Sequence, residues 1–546
     1  MKKLTKVVGL FIALIMLASM LVGCASPAAN EAPAATGASS EAAANNAAEP
    51  ASEEEAASAG TTAEVIVAIG ADPADLSPFN GMSLGRIAVL KTTYEYLLEA
   101  DSMGTEAVPM MAKSVEKTGD KTYVVTIYDY ITDSAGNHIT ASDVVFSFTQ
   151  GMEVGQMRPL GNIESITALD DYSVEYVFKT ELGVGDLDKT LTECPVVSQA
   201  AYEASDDKFS TNPVATGPYV VTDYVPGSSL TYEKRADYWQ TPELTAKFSQ
   251  SNVEKIVFQV ITEPAQHAIA LESGTANISA NISGDDIDRF VDNPDYNVFK
   301  FQDNLTWYMA FNGSEDVFGS KDLRQAIAYA IDTTAICAAV APGSCNAAHT
   351  IGNSNFGSYN TDWDSQDYYS YDLDKAKELF AASGHEAGEL SFTILFETNP
   401  KTALVAQVIQ NQLAELGIEI VLDQEETSVF NNMQYDPTQF DILIGAAAGG
   451  DFVISPWLLI FDQNRNNGTT WSFVVDDELQ SLLMATTTIE GYTSENINAF
   501  NEYQTEQVYT YGLLSYMNNV VTSNNVVDIV RDTRGQIMPG ACGYAE

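Results

Sequence analysis

SFTILFETNPKTALVAQVIQNQLAELGIEIVL, Ser391 to Leu422, decides the class of fold. Residues 391–396 and 418–422 are short apolar runs that read as strands, and 402–416 between them carries helical periodicity. A further apolar run at 440–444 supplies another strand, so the order is strand, helix, strand, strand, the βαβ-like alternation of an α/β body. That last run leads into GAAAGGDF, Gly445 to Phe452, where side chains shrink to nothing before one carboxylate, Asp451. A strand-ending loop with a capping acid accounts for the pattern. A pocket floor kept small for a guest, with Asp451 fixing a positive charge, accounts for it equally well.

Working outward, the same texture covers the chain from residue 61 onward. Strands are expected at 64–70, 123–128, 172–178, 219–224, 229–234, 253–260 and 305–311. Helices are expected at 86–100, 263–272, 323–331, 375–382, near 477–487 and near 498–508, and Ala141-Ser142-Asp143 resembles a helix start. No internal repeat is evident. A chain of 546 residues exceeds one ordinary domain, and 45% apolar residues with 10% aromatics give it material for a large core. Its 75 acidic and 26 basic side chains leave a formal charge of −49, which repels phosphate backbones and disfavours nucleic acid as a partner.

The first residues have a different character. Lys2, Lys3 and Lys6 precede an apolar run at 7–17, the layout of an export signal too short to span a membrane comfortably. Leu-Val-Gly-Cys at 21–24 resembles a bacterial lipobox, so residues 1–23 are expected to be a lipoprotein signal peptide and Cys24 the lipidated new N-terminus. Residues 25–60 hold no Lys or Arg and almost nothing large and apolar, the composition of a disordered tether. A flexible segment of that length reaches roughly 30–35 Å.

Cys194, Cys337, Cys345 and Cys542 show no CxxC spacing, and His138, His267, His349 and His385 are scattered. No metal site and no cofactor is expected from them. Cys337 and Cys345 bracket Pro342-Gly343, and whether they bridge is left open by the sequence. One G-x-S-x-G match, Gly81-Met82-Ser83-Leu84-Gly85, offers a serine nucleophile. A nucleophile elbow needs a strand directly before it, and here LSPFN precedes it. An exported serine hydrolase using Ser83 is therefore the alternative from the enzyme class, and no enzyme is the expectation.

Several separated stretches carry a family resemblance: ITDSAGNHITASDVVFSF, then PVATGPY, DYVPG and KRADYW, then MAFNGSEDVFGSKDLRQAIAYAID, then YDLDKAKELFAASG. In order and spacing they resemble the extracellular solute-binding proteins of family 5, the oligopeptide- and dipeptide-binding lipoproteins of ABC importers. The resemblance runs from about residue 64 to 461. It implies a two-lobed fold like the type II periplasmic binding proteins, with an extra inserted subdomain in lobe one. Lobe one would take 61–302, with the insert at about 80–205. Lobe two would take 303–505, and 506–546 would return to lobe one. It further implies a monomer, anchored by Cys24 to the outer face of the cytoplasmic membrane, that captures a small solute, most of all short peptides, and delivers it to a permease with separate ATPase subunits.

By the same resemblance Asp451 would grip a peptide's α-amino group, with Phe452, Gly449 and Gly450 around it. Trp307 and Tyr308 on the strand entering lobe two, and Met82 and Ser83 in the loop after Leu76-Ser77-Pro78, would line the cleft. Two departures stand out. Ala215 takes the place of the first glycine of a Gly-Thr-Gly-Pro motif, and Ala447 to Gly450 are smaller than is usual in peptide binders. A sugar, a metal complex or a purely sensory role remain the other readings within this class.

Overall fold

The strand–helix–strand run folds as its pattern implies, as Ser391–Glu397, Pro400–Ala414 and Glu419–Glu425. Asn399 caps the helix by accepting from the backbone N–H of Lys401, and Pro400 occupies its first turn, where a missing N–H costs nothing. Val405, Ile409 and Leu413, four residues apart, are wholly buried under the sheet, each stabilising the fold by about 1.5–3 kcal/mol. The two strands pair in parallel, and Ser391–Glu397 also pairs in parallel with Ile442–Ala448. This computed structural model describes residues 64–80, 84–100, 107–282, 284, 286–348, 350–366, 368–448, 452–464, 470–532 and 535–545. The expectations for the signal, Cys24 and the tether fall outside the described residues, as do Met82, Ser83, Gly449, Gly450 and Asp451.

Among the described residues the largest sheet has 12 strands. From one edge it runs Glu419–Glu425, Ser391–Glu397, Ile442–Ala448, Leu305–Phe311, Thr510–Ser523, Ile278–Ser279, Glu64–Ile69, Lys255–Val260, Ser229–Lys234 and Tyr219–Val225. Thr510–Ser523, 14 residues long, joins its halves. Residues 510–514 pair with Leu305–Phe311, and residues 517–523 pair with Tyr296–Gln302. One lobe has a core that includes Val65, Val67, Tyr232, Ile256 and Val520. The other packs around Met309, Ile327, Ile394, Ile409 and Leu514. The chain crosses between them at Asp303-Asn304 and returns at Ser515-Tyr516, where the Asp303 N–H donates to the Tyr516 carbonyl.

The inserted subdomain is a four-stranded antiparallel sheet of Ala112–Gly119, Thr122–Ile127, Ser173–Phe178 and Ile163–Ala168. Helix Ala141–Val154 packs on it, opened by a capping box between Thr140 and Asp143. The helix expected over 86–100 is corrected: it spans Leu84–Thr93, and Leu98–Ala100 is a strand paired with Ala107–Pro109. At the helix end the hydroxyls of Thr92 and Thr93 fold back onto the carbonyls of Ala88 and Val89. The Tyr94 amide still reaches the Leu90 carbonyl, but the next, of Glu95, donates to Thr216 Oγ1 instead of continuing the helix.

Cys337 and Cys345 form a disulfide, with Cα atoms 5.3 Å apart. The bridge ties helix Thr333–Val340 to strand Cys345–Ala347, itself paired with the crossing strand at Tyr516 and Leu514. Removing it by Cys337→Ala with Cys345→Ala is expected to cost about 2–3 kcal/mol, the loop-entropy value for so short a loop. A lower stability extrapolated from urea melts, with midpoint and slope both fitted, would show this. Equal midpoints with and without reductant in the native protein would count against the bridge.

Candidate functional site

Strand Ile442–Ala448 shows why its side chains shrink. Ile442, Leu443 and Ile444 are buried. At Gly445 an added Cβ would lie 3.0 Å from Cζ and Oη of Tyr308, so this glycine makes room for a core ring. Tyr308 is 0% exposed and packs in the core with Phe440, Leu443 and Trp457. Its expected place against a solute is therefore corrected: alternation along Leu305–Phe311 turns it inward. Burial raises the pKa of its hydroxyl, and Oη has no partner among the described residues. Trp307, on the opposite face, is half-buried, stands edge-on to Tyr516 at 6.4 Å, and has a buried, unbonded Nε1. Ala446 is half-buried and Ala448 exposed, the latter paired with Leu305 beside the crossing.

Phe452 is 6% exposed and meets the inserted subdomain. Its ring covers Gly185, whose Cβ would stand 1.9 Å from Phe452 Cε2. Gly185 has φ +71° and precedes helix Asp186–Glu193, a left-handed position that suits glycine. Around this contact Phe452 lies edge-on to Tyr492 at 5.3 Å, Lys189 donates to Ser455 Oγ at 3.2 Å, and the Val184 N–H donates to the Thr487 carbonyl at 3.3 Å. Lys189 Nζ also sits 5.7 Å from the Phe452 ring centre, within cation–π range. A cavity of about 580 Å³ opens here, lined by Tyr123, Leu182, Ser358, Phe452 and Tyr492 among others.

A second cavity, of about 350 Å³, lies at the C-terminal end of strand Glu64–Ile69, bordered by Gly70, Ala71, Asn281, Asn518, Arg531 and Gln536. That strand pairs in parallel with Ile278–Ser279, and the carboxyl ends of parallel strands are where α/β folds collect ligands. The adjacent crossing is pinned by amides. Asn353 Nδ2 donates to the Asp303 carbonyl and to Thr306 Oγ1, and Asn355 Nδ2 donates to Asn304 Oδ1.

Of the residues singled out from the sequence, Phe452 stands at the junction, Trp307 near the crossing, and Tyr308 in the core. Gly185, Tyr492, Asn353 and Arg531 were not singled out, because each acquires its meaning from a neighbour far along the chain. The nearest sequence signal was Gly183-Val184-Gly185, two glycines at the mouth of a helix. For the serine elbow, residues 72–80 contain no strand, so the required strand-to-turn geometry does not lead to Ser83.

The model of the bacterial extracellular solute-binding proteins, family 5, middle region, matches residues 106–469. Di/tripeptide-binding protein 1 of Pseudomonas aeruginosa is 25% identical over 389 residues, 64% of this chain and 68% of its own length. Heme-binding protein A of Haemophilus influenzae is 23% identical over 361 residues, 60% of this chain and 63% of its own. Among solved structures, HbpA2 from Haemophilus parasuis superposes with a TM-score of 0.77 at 19% identity, covering 88% of this chain and 100% of that one.

Proposed function

Because the chain belongs to family 5 of the bacterial extracellular solute-binding proteins, we propose that it captures short peptides between its lobes for an ABC importer. The observation that carries the closing step is the contact of Phe452 with Gly185, which joins the inserted subdomain to lobe two beside a cavity. Likeness to a di/tripeptide-binding relative supports the peptide. The lobes we propose are 61–302, with the insert at about 80–205, and 303–505. The tail from 506 would still pair with lobe two as far as Tyr516 before joining lobe one. Cys24 would carry the lipid that holds a monomer at the outer face of the membrane, near a permease and its ATPase subunits. A heme-binding relative favours a second reading, in which the solute is not a peptide.

Asp451 is the proposed partner of the peptide's ammonium, with Gly449, Gly450 and Phe452 beside it and Trp307, Met82 and Ser83 farther round the cleft. Leaving one member of a desolvated charge pair without its partner costs about 3–5 kcal/mol. Asp451→Ala is therefore expected to weaken peptide binding at least about tenfold, roughly 1.4 kcal/mol. N-acetylation of the peptide should weaken binding to the native protein similarly. Titration calorimetry with both tests the grip, and unchanged curves would reject it. Mass spectrometry of solute released by denaturing the purified protein tests the peptide reading itself; a released non-peptide would replace it.

A further inference from the structure

Among the described residues, the buried arginines Arg86, Arg235 and Arg324 all donate to backbone carbonyls. Arg86 donates to the carbonyls of Asp75, Asn80 and Ser77 at 2.7–2.9 Å. Arg235 donates to Gly217 at 3.2 Å and Asp133 at 3.0 Å, and Arg324 to Gln507 at 2.9 Å and to Phe318. Arg531 is half-buried, lines the 350 Å³ cavity, and makes no side-chain hydrogen bond to any described residue. Its guanidinium instead lies over the Phe301 ring, 3.8 Å from the centroid. Stacking occupies the flat face of a guanidinium and leaves its in-plane fork of N–H donors free.

Nearby carboxylates do not fill that fork. Asp303 is held by the Asn304 N–H and the Asn518 side chain, and Asp532 by Lys91 and the Gln536 N–H. Both act on Arg531 electrostatically, but neither forms an ion pair with it. Burial pulls the other way, lowering the pKa of Arg531, as it does for the buried Arg324. Asn281 and Gln536 border the same cavity and bring amides to it. Gly70 lets Asn281 approach, since a Cβ there would stand 3.1 Å from Asn281 Nδ2. Gly535 has φ +79°, a left-handed position that suits glycine, and lines the same cavity.

From the cavity, the stacked guanidinium and its empty fork, we propose that Arg531 binds a carboxylate of the solute, with Asn281 and Gln536 completing its hydrogen bonds. A planar carboxylate matches two parallel N–H donors, and charge-assisted pairs of this kind are roughly twice as strong as neutral ones. Lobe one thereby holds the acidic end of the solute, across the crossing from the end of strand Ile442–Ala448. The proposal rests on the solute-binding reading but not on the solute being a peptide.

The test uses the full-length protein freed of co-purifying solute, titrated with trialanine and glutarate and with the matched amides, trialanine amide and glutaramide. At least one acid is expected to bind the native protein tenfold or more tightly than its amide. Arg531→Gln should erase that preference, and Arg531→Lys should keep part of it. If neither acid is preferred by the native protein, or if Arg531→Gln retains the preference, the assignment is overturned. The acid-versus-amide comparison in the native protein needs no variant, so a misfolded variant leaves it standing. Discrimination of glutarate with no binding of trialanine supports Arg531 and removes the peptide reading. Equal binding of trialanine and its amide, with no preference for glutarate over glutaramide, does the reverse.

Discussion

Gly185→Val is expected to weaken solute binding by about a hundredfold, equivalent to roughly 2.7 kcal/mol. Two effects combine at this one backbone position. A left-handed φ of +71° costs an ordinary side chain about 1–2 kcal/mol, and a β-branched one is a sharper misfit. The new Cβ would also stand 1.9 Å from Phe452 Cε2, far inside van der Waals contact, against a ring that Tyr492 meets edge-on at 5.3 Å. Phe452 and the loop must separate, which breaks the Lys189–Ser455 and Val184–Thr487 hydrogen bonds. Adding Phe452→Ala should recover part of the lost affinity, because it removes the clash while leaving the backbone strain. A double-mutant cycle isolates that share. An unchanged dissociation constant in Gly185→Val would mean that closing over the solute does not use this contact.

The second large effect concerns stability and pH. Glu95 is wholly buried, and burial pushes its carboxyl up from the ordinary 4.5 to about 7, against hydrogen bonds from Tyr238 and Ser249. Glu99 nearby pushes the same way and Arg235 the other. Below about pH 4.5 this side chain is protonated in folded and unfolded chains alike. Between there and about pH 7 only the folded chain keeps the proton, so this group's contribution to stability falls as pH rises, and above pH 7 the whole cost remains. That cost is about 3 kcal/mol at 1.36 kcal/mol per pH unit. Glu95→Gln should therefore be more stable than the native protein by about this amount at pH 8 and by only about 1 kcal/mol or less at pH 5. Urea melts at the two pH values decide it. A constant difference between them would show that Glu95 does not titrate in this range.

Much of the fold was legible because it is built from short elements with one buried face. Strands Leu305–Phe311 and Ser229–Lys234 agree with the sequence reading to the residue, and the βαβ run deviates only at its ends. Thr510–Ser523 was not anticipated. Buried along nearly its whole length, it lacks the alternation that marks a strand with one wet face, and Gly512 and the paired asparagines Asn518 and Asn519 interrupt its apolar run. The glycine is there because a Cβ would stand 2.7 Å from the Thr350 carbonyl oxygen, a neighbour the local sequence does not reveal. At the candidate site, the shrinking side chains of GAAAGG were visible at once. Their first use, making space for Tyr308 at Gly445, depends on a strand more than a hundred residues earlier. Arg531 was unreadable for a related reason: a cation is unremarkable in a list of residues until its donors are found unused.

The strand shared by both lobes also sets the order in which the molecule can be finished. Ile278–Ser279 and Tyr296–Gln302 both take their antiparallel partners from residues 517–523. A chain emerging from the ribosome N-terminus first must therefore make all of lobe two before the lobe it began with can complete its sheet. Contacts that span such sequence distances form slowly, and partly folded chains with unpaired strand edges are prone to aggregate. The last few dozen residues thus close the first-made half, and a nascent or truncated chain lacking them retains an open seam at the centre of its largest sheet.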